Sequence, residues 1–401
     1  MKNFNKPHFI IKKNLQKSKQ TGILFTDQLS NDVLEDVCYK ITGSKSFSVD
    51  YVSNDYQDEF IEKTYNKGRL AFLFYKDTVN YISFSEKEIH GRNSSVQSVP
   101  TAFNSYYLNS YKNKNLYYYF LNFNGNAATN YQIMIYRLMK TIGFKFLNID
   151  SAIAPKISSF TSLDDIMNSK KINTEKNRSN NSSYITKSSN NDYDIYGKTY
   201  GANKYDTSIT CYALSMLATK NQKITLYEVV ENDLKELPEA SMNVLKKMNN
   251  IKIIPTNIQL DKKIFQENNN LRSPRYIFNL FEKFGEKKCA LCDCEIPELI
   301  HGAHIWSVAS IKKAHISDDE KIRCATDGEN GIWLCENHHK LFDENILLIN
   351  KDLSFSIKNN LRKTDIDFIN QITLHKKLSN VYCSIRTQQY IDNRNREINL
   401  Q

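Results

Sequence analysis

Two closely spaced pairs, Cys289 with Cys292 in C-A-L-C and Cys335 with His338 in C-E-N-H, constrain this 401-residue chain more than any other feature. A spacing of two intervening residues suits a tight turn, where both side chains converge on one ion at about 2.0–2.3 Å. Two such turns close a tetrahedron. The pattern therefore predicts a Cys3His zinc clasp built from Cys289, Cys292, Cys335 and His338. Cys294 competes as a ligand, but C-x-C or C-x4-C fits a knuckle less well than C-x2-C. Buried free thiols are common in cores. Four ligands in two matched pairs are a stricter pattern than that, and five of the eight cysteines crowd between residues 289 and 335.

Between the knuckles lies a second group: His304 in G-A-H-I, Asn330 in E-N-G-I-W-L-C, and His339 in H-H-K-L-F-D. Gly302 to Ile305 reads as a short strand, Ile332 to Leu334 as a second, and the run from about Asn337 as a helix that turns Leu341 and Phe342 inward. Over about residues 270–355 this resembles the HNH nuclease superfamily. The resemblance implies a ββα-metal unit in which His304 is the general base, Asn330 organises the connecting loop, and His339 binds a catalytic Mg2+ or Mn2+. The residue types suit that chemistry. Histidine titrates nearest neutrality and can take a proton from water, while a divalent ion stabilises charge on a phosphate. Many members of the superfamily carry a metal-binding Asp just before the base, where this chain has Ala303. Asp343, one turn after His339, is the preferred second ligand. Asp327, Asn330 and His301 are alternatives, with His301 the poorest because an odd separation from His304 sends the two side chains to opposite strand faces.

The rest of the chain is bounded by size and charge. A length of 401 residues allows two or three domains. No run of eighteen apolar residues occurs, and the basic start M-K-N-F-N-K-P-H lacks a signal-peptide core, so a cytoplasmic protein with reduced thiols is expected. The net charge of +10 is uneven: +9 over residues 1–269, −2 over 270–360 and +3 over 361–401. A hold on polyanionic DNA must then come mainly from outside the metal-bearing module.

These features predict an α+β multidomain protein with a C-terminal ββα-metal HNH module and its Cys3His zinc clasp. The expected divisions are an α+β DNA-recognition domain at 1–165, a polar linker or disordered insertion at 166–195, a small α+β domain with a DNA-contacting or packing role at 196–268, the nuclease module at 269–360 and a basic helical tail at 361–401. Leu70 to Tyr75 and Val79 to Phe84 read as strands, and the aromatic run from Phe103 to Phe123 as sheet core. Ile133 to Ile142 and Ile209 to Ala218 read as helices, and Ser273-Pro274 as a helix start. G-K-T at 197–199 is no phosphate loop, because position 192 is Asp where that motif needs Gly.

The expected activity is that of a type II restriction endonuclease acting on double-stranded DNA, with a cognate DNA methyltransferase and a homodimer as partners. Alternatives are a non-specific, modification-dependent or homing-type nuclease, or an inactive zinc-stabilised DNA-binding protein.

Overall fold

The computed structural model describes residues 4–17, 22–53, 55–61, 69–85, 96–121, 128–176, 181–188, 190–230, 237–248, 250–267 and 273–399. It is a mixed α/β protein whose chain divides into two compact units that interleave in sequence. The first comprises residues 1–170, 198–224 and 235–252; the second comprises 171–197, 225–234 and 253–401.

The first unit is built on a six-stranded sheet of β1 (Phe4–Lys12), β2 (Ser48–Val52), β3 (Arg69–Lys76), β4 (Thr78–Phe84), β5 (Lys114–Tyr119) and β6 (Lys145–Phe146), ordered β2-β1-β3-β4-β5-β6. β3 and β4 form an antiparallel hairpin, whereas β1–β2, β4–β5 and β5–β6 are parallel. Helix α1 (Asn31–Thr42) buries Leu34, Val37 and Cys38 in a core shared with Phe9, Ile11, Leu73, Ile82 and Phe84. The aromatic run expected to be sheet splits in two. Val99–Leu108 forms helix α2, started by Pro100 near its N-terminus, and only Lys114–Tyr119 is strand. Every residue of α2 from Val99 to Ser105 is buried, so tertiary burial overrode the strand preference of its aromatic side chains. Phe123 lies outside the described residues. Helices α3 (Asn130–Thr141), α4 (Leu163–Lys176), α5 (Asn203–Leu217) and α6 (Glu239–Met248) follow, and Asn104 of α2 bonds both Tyr212 of α5 and Ser241 of α6.

The segment 166–195 is not a linker. It continues α4 to Lys176, then gives β7 (Ser183–Lys187), which pairs antiparallel with β8 (Tyr193–Lys198); residues 177–180 and 189 lie outside the described residues. Its polar composition hid an alternation that buries Tyr184, Tyr193 and Ile195. With β9 (Ile224–Val229) and β10 (Ile251–Thr256) these strands make a four-stranded sheet, ordered β10-β9-β8-β7. The span 196–268 is accordingly no domain of its own, being shared between both units.

The rest of the second unit positions the clasp. After α7 (Ile258–Glu267), helix α8 (Pro274–Phe284) begins at Ser273, whose hydroxyl accepts from Tyr276 N, with Pro274 at the first helical position. Its buried face packs Phe281 on Tyr184, rings stacked 5.0 Å apart. β11 (Ile300–His304) pairs antiparallel with β12 (Gly331–Cys335), register His304 to Gly331 and Ile300 to Cys335. Helices α9 (Val308–Lys313) and α10 (Asp318–Thr326) fill the connection, and α11 (Glu336–Asp343) follows β12 directly. The expected tail at 361–401 is an integral part of this unit. Beyond the small hairpin β13 (Leu347–Ile349) and β14 (Phe355–Ile357) lie helices α12 (Lys363–Ile372) and α13 (Ile385–Asn399), which place Ile369, Tyr390 and Ile391 in its core. No helix among the described residues is long and apolar enough to cross a membrane.

Close approach of α8 depends on three glycines. A Cβ at Gly302 or Gly331 would overlap Leu280, with Tyr276 also near, and one at Gly328 would run into the Asn279 backbone carbonyl. A side-chain tip can swing aside where a backbone carbonyl cannot. Gly328→Ala is therefore expected to lower unfolding stability by about 3 kcal/mol, at the upper end of overpacking costs, and Gly302→Ala by about 1–2 kcal/mol. Denaturant titration of both variants checks the order.

Candidate metal centre and active site

The four clasp residues come together as their spacing predicts. Cys289 and Cys292 lie on the turns after α8; Cys335 ends β12 and caps α11, so His338 falls in the first helical turn. Their ligand atoms all lie within 4.8 Å of one another. Cys292 Sγ is 3.8 Å from Cys335 Sγ, and His338 Nδ1 is 3.4 Å and 3.1 Å from the sulfurs of Cys289 and Cys335. Zinc bonded to sulfur at about 2.3 Å gives tetrahedral edges of about 3.8 Å, so the donor set fits that ion. Cys294 lies outside the group, and its carbonyl instead accepts from Cys289 N at 2.9 Å.

Burial pushes the Cys289 thiol up to about 12, raises that of Cys292, and drives the His338 imidazole down to about 4. Buried thiolates need a positive partner, and a divalent ion provides one. His338 Nε2 lies 3.2 Å from Thr373 Oγ1, which fixes the ring with Nδ1 toward the sulfurs. Leu374 N and His375 N both donate to Leu291 O inside the first knuckle. The C-terminal segment thus supports both halves of the clasp.

His304 sits at the end of β11, partly exposed. Its Nε2 is 2.9 Å from the Ala325 carbonyl oxygen. A carbonyl only accepts, so Nε2 carries the ring proton and Nδ1 holds the basic lone pair. The ring stacks on Tyr276 with centroids 3.9 Å apart and planes within 11°, and Tyr276 OH donates to Ala303 O at 3.1 Å. Burial raises that phenol well above its usual range, so it stays a neutral donor. Asn330 is fully buried and does not orient the imidazole itself. Its Oδ1 accepts from Trp306 N at 2.8 Å, and its Nδ2 donates to the carbonyls of Trp306 and Cys324, which staples the segment after His304 to the segment before β12.

His339 and Asp343 share a face of α11, with Nδ1 and Oδ2 3.4 Å apart. Strand alternation does separate His301 from His304, but it carries His301 to this same face of α11. The His301 and His339 rings lie 5.6 Å apart, and His301 Nε2 is 3.7 Å from Glu336. His301 is therefore a nearer neighbour of His339 than its ranking in the sequence suggested. Asp327 is turned to other partners. Its carboxylate accepts from Arg386, Tyr390 and Glu329 N. Ala303, the position before His304, is fully buried. Among the described residues, the clasp is the one group of three or more Cys, His, Asp or Glu gathered tightly enough to hold an ion.

Sequence reasoning missed Tyr276, Ala325 O and Thr373. Tyr276 carries one signal, its place in the first turn after Ser273-Pro274; a backbone carbonyl and a lone threonine carry none.

Cys289→Ser or Cys335→Ser is expected to release zinc and lower the melting temperature, since metal binding contributes directly to folding. Thr373→Val should fold but bind zinc about tenfold more weakly. His339→Ala should keep its zinc. Elemental analysis with chelator competition measures all four variants.

No curated protein matches the chain. Residues 289–350, which hold the clasp, both hairpin strands and α11, match the family described as HNH endonuclease.

Proposed function

We propose that this protein is a sequence-specific double-stranded DNA endonuclease of the type II restriction kind, in which His304 activates the water that attacks the phosphodiester. The observation that carries the reading is the pinned tautomer of His304 inside a region that matches HNH endonucleases. With Nε2–H held by Ala325 O, Nδ1 takes the proton from water, and the same carbonyl stabilises the imidazolium that forms. His339 and Asp343 would hold a Mg2+ or Mn2+ ion, with His301 alongside. When bound, that ion supplies positive charge to the phosphate and the leaving 3′ oxygen. A zinc ion in the clasp would have no part in the chemistry, since Cys289, Cys292, Cys335 and His338 would fill its four positions.

Charge supports a division of labour. The first unit holds 29 Lys and Arg against 18 Asp and Glu, a balance of +11, whereas the second holds 25 against 26, a balance of −1. Phosphate attraction therefore resides chiefly in the first unit, and base reading is assigned to it as well. A double-strand break needs two hydrolytic events, so a homodimer or sequential nicking belongs to this reading, as does a cognate DNA methyltransferase that protects the host. The buried Ala303 favours one other reading, a zinc-stabilised DNA-binding protein without cleavage.

Incubation with plasmid and Mg2+ or Mn2+ separates the readings: discrete fragments for a restriction enzyme, a smear for a non-specific nuclease, intact plasmid for a binding protein. His304→Ala is expected to abolish cleavage while DNA affinity stays within a few fold, because the base acts on water. Equal losses of binding and cutting would remove this role from His304. Affinity of that variant for its site should fall steeply between low and moderate salt, as counterion release is suppressed.

A further inference from the structure

Helix α13 lies beyond the matched residues, yet it bonds the segments that flank His304, Asn330 and Asp343. Arg386, Tyr390, Arg394 and Glu397 are spaced by four, four and three residues, which puts them on one helical face. Arg386 Nη1 and Tyr390 OH donate to Asp327 Oδ2 at 3.0 Å and 2.9 Å, and Thr387 Oγ1 donates to Glu329 O at 3.1 Å. These bonds fix the turn that carries Asn330. Further along, Trp306 Nε1 donates to Glu397 Oε1 at 2.9 Å. Arg394 stands between them. Its Nη1 donates to Ile305 O at 3.1 Å, its Nη2 donates to Phe342 O and to Asn345 Oδ1, and its guanidinium lies 3.8 Å over the Phe342 ring.

We infer that Arg394 is a positioning residue of the hydrolytic centre, a strut that sets the separation between the strand end bearing His304 and the helix end bearing His339 and Asp343. Ile305 is the residue after His304, and Phe342 is the residue before Asp343. A planar guanidinium offers several donors in a fixed fork, so it can hold two backbone carbonyls at a set separation. A lysine would reach one of them from a single flexible stem. The side chain is only 6 % exposed. Burying a cation there is costly; its Nε has no partner among the described residues, while the bonds made by Nη1 and Nη2 run to both sides of the centre. This inference rests on the nuclease reading for its effect on rate, but not for the coupling itself.

The test uses the full-length protein as Arg394→Met, Arg394→Lys and Asn395→Ala. Asn395 serves as a control on the same helix because its amide donates to Ile349 O, away from the centre. For Arg394→Met, the single-turnover cleavage rate should fall about 100-fold with KM and zinc content little changed, as expected of misplaced reacting groups. Arg394→Lys should recover about tenfold of that loss. In nitrogen-15 NMR spectra of the histidine rings, recorded without DNA, both the His304 and His339 signals should move in the two Arg394 variants. Asn395→Ala should leave rate and ring signals unchanged even if its melting temperature falls by as much. Movement of one ring alone, or a rate loss equal to that of the control, would overturn the inference. If the wild-type protein does not cut DNA, the nuclease reading fails while the ring signals still decide the coupling. If Arg394→Met does not fold, Arg394→Lys carries the same readouts.

Discussion

Three sulfurs and one imidazole converge within 4.8 Å of one another in the region that matches HNH endonucleases, and the geometry around them depends on that convergence. Cys289 and Cys292 bring in the turns after α8, while Cys335 and His338 bring in the junction of β12 and α11. Because Cys335 both ends a strand and caps a helix, fixing it fixes the direction of each. The hairpin of β11 and β12 then has one register, and that register sets His304 opposite Gly331. A two-stranded hairpin is marginal by itself. Here its stability comes from the clasp at one end, from α8 packed across its glycines, and from the helices beyond.

The same layout explains why two histidines three residues apart on one strand have separate surroundings. Alternation along β11 turns His304 toward α8, where Tyr276 and Ala325 O hold it, and turns His301 toward α11, where it meets His339. One side therefore has an imidazole with a fixed tautomer. The other brings the His301 and His339 imidazoles and the Asp343 carboxylate to one face of α11. Between them, position 303 holds an alanine that the packing of β11 buries completely.

Support from outside the matched region is extensive. Thr373 orients His338, the backbone at 374 and 375 grips Leu291, and α13 ties the segments around Ile305, Asp327 and Phe342 to one rigid helix. Groups that must be held to fractions of an ångström are commonly fixed by such a surrounding layer of hydrogen bonds. In this chain, that layer is drawn largely from its last forty residues.

The sequence by itself determined the clasp, the order of strand, strand and helix around His304, Asn330 and His339, and the capped start of α8. Each is a local pattern whose spacing is its geometry: C-x2-C and C-x2-H for two knuckles, and Ser-Pro for a helix N-terminus. What only the tertiary structure decided depends on partners distant in sequence. The polar stretch at 183–198 became two strands because β9 gave β8 a neighbour, and Val99–Leu108 became a helix because it is buried along most of its length. The last forty residues, polar enough to read as a tail, became a brace. Their Arg and Tyr side chains find acceptors 49 to 89 residues away in Phe342, Asn345, Ile305 and Asp327, and a one-dimensional pattern has no means of recording such pairings.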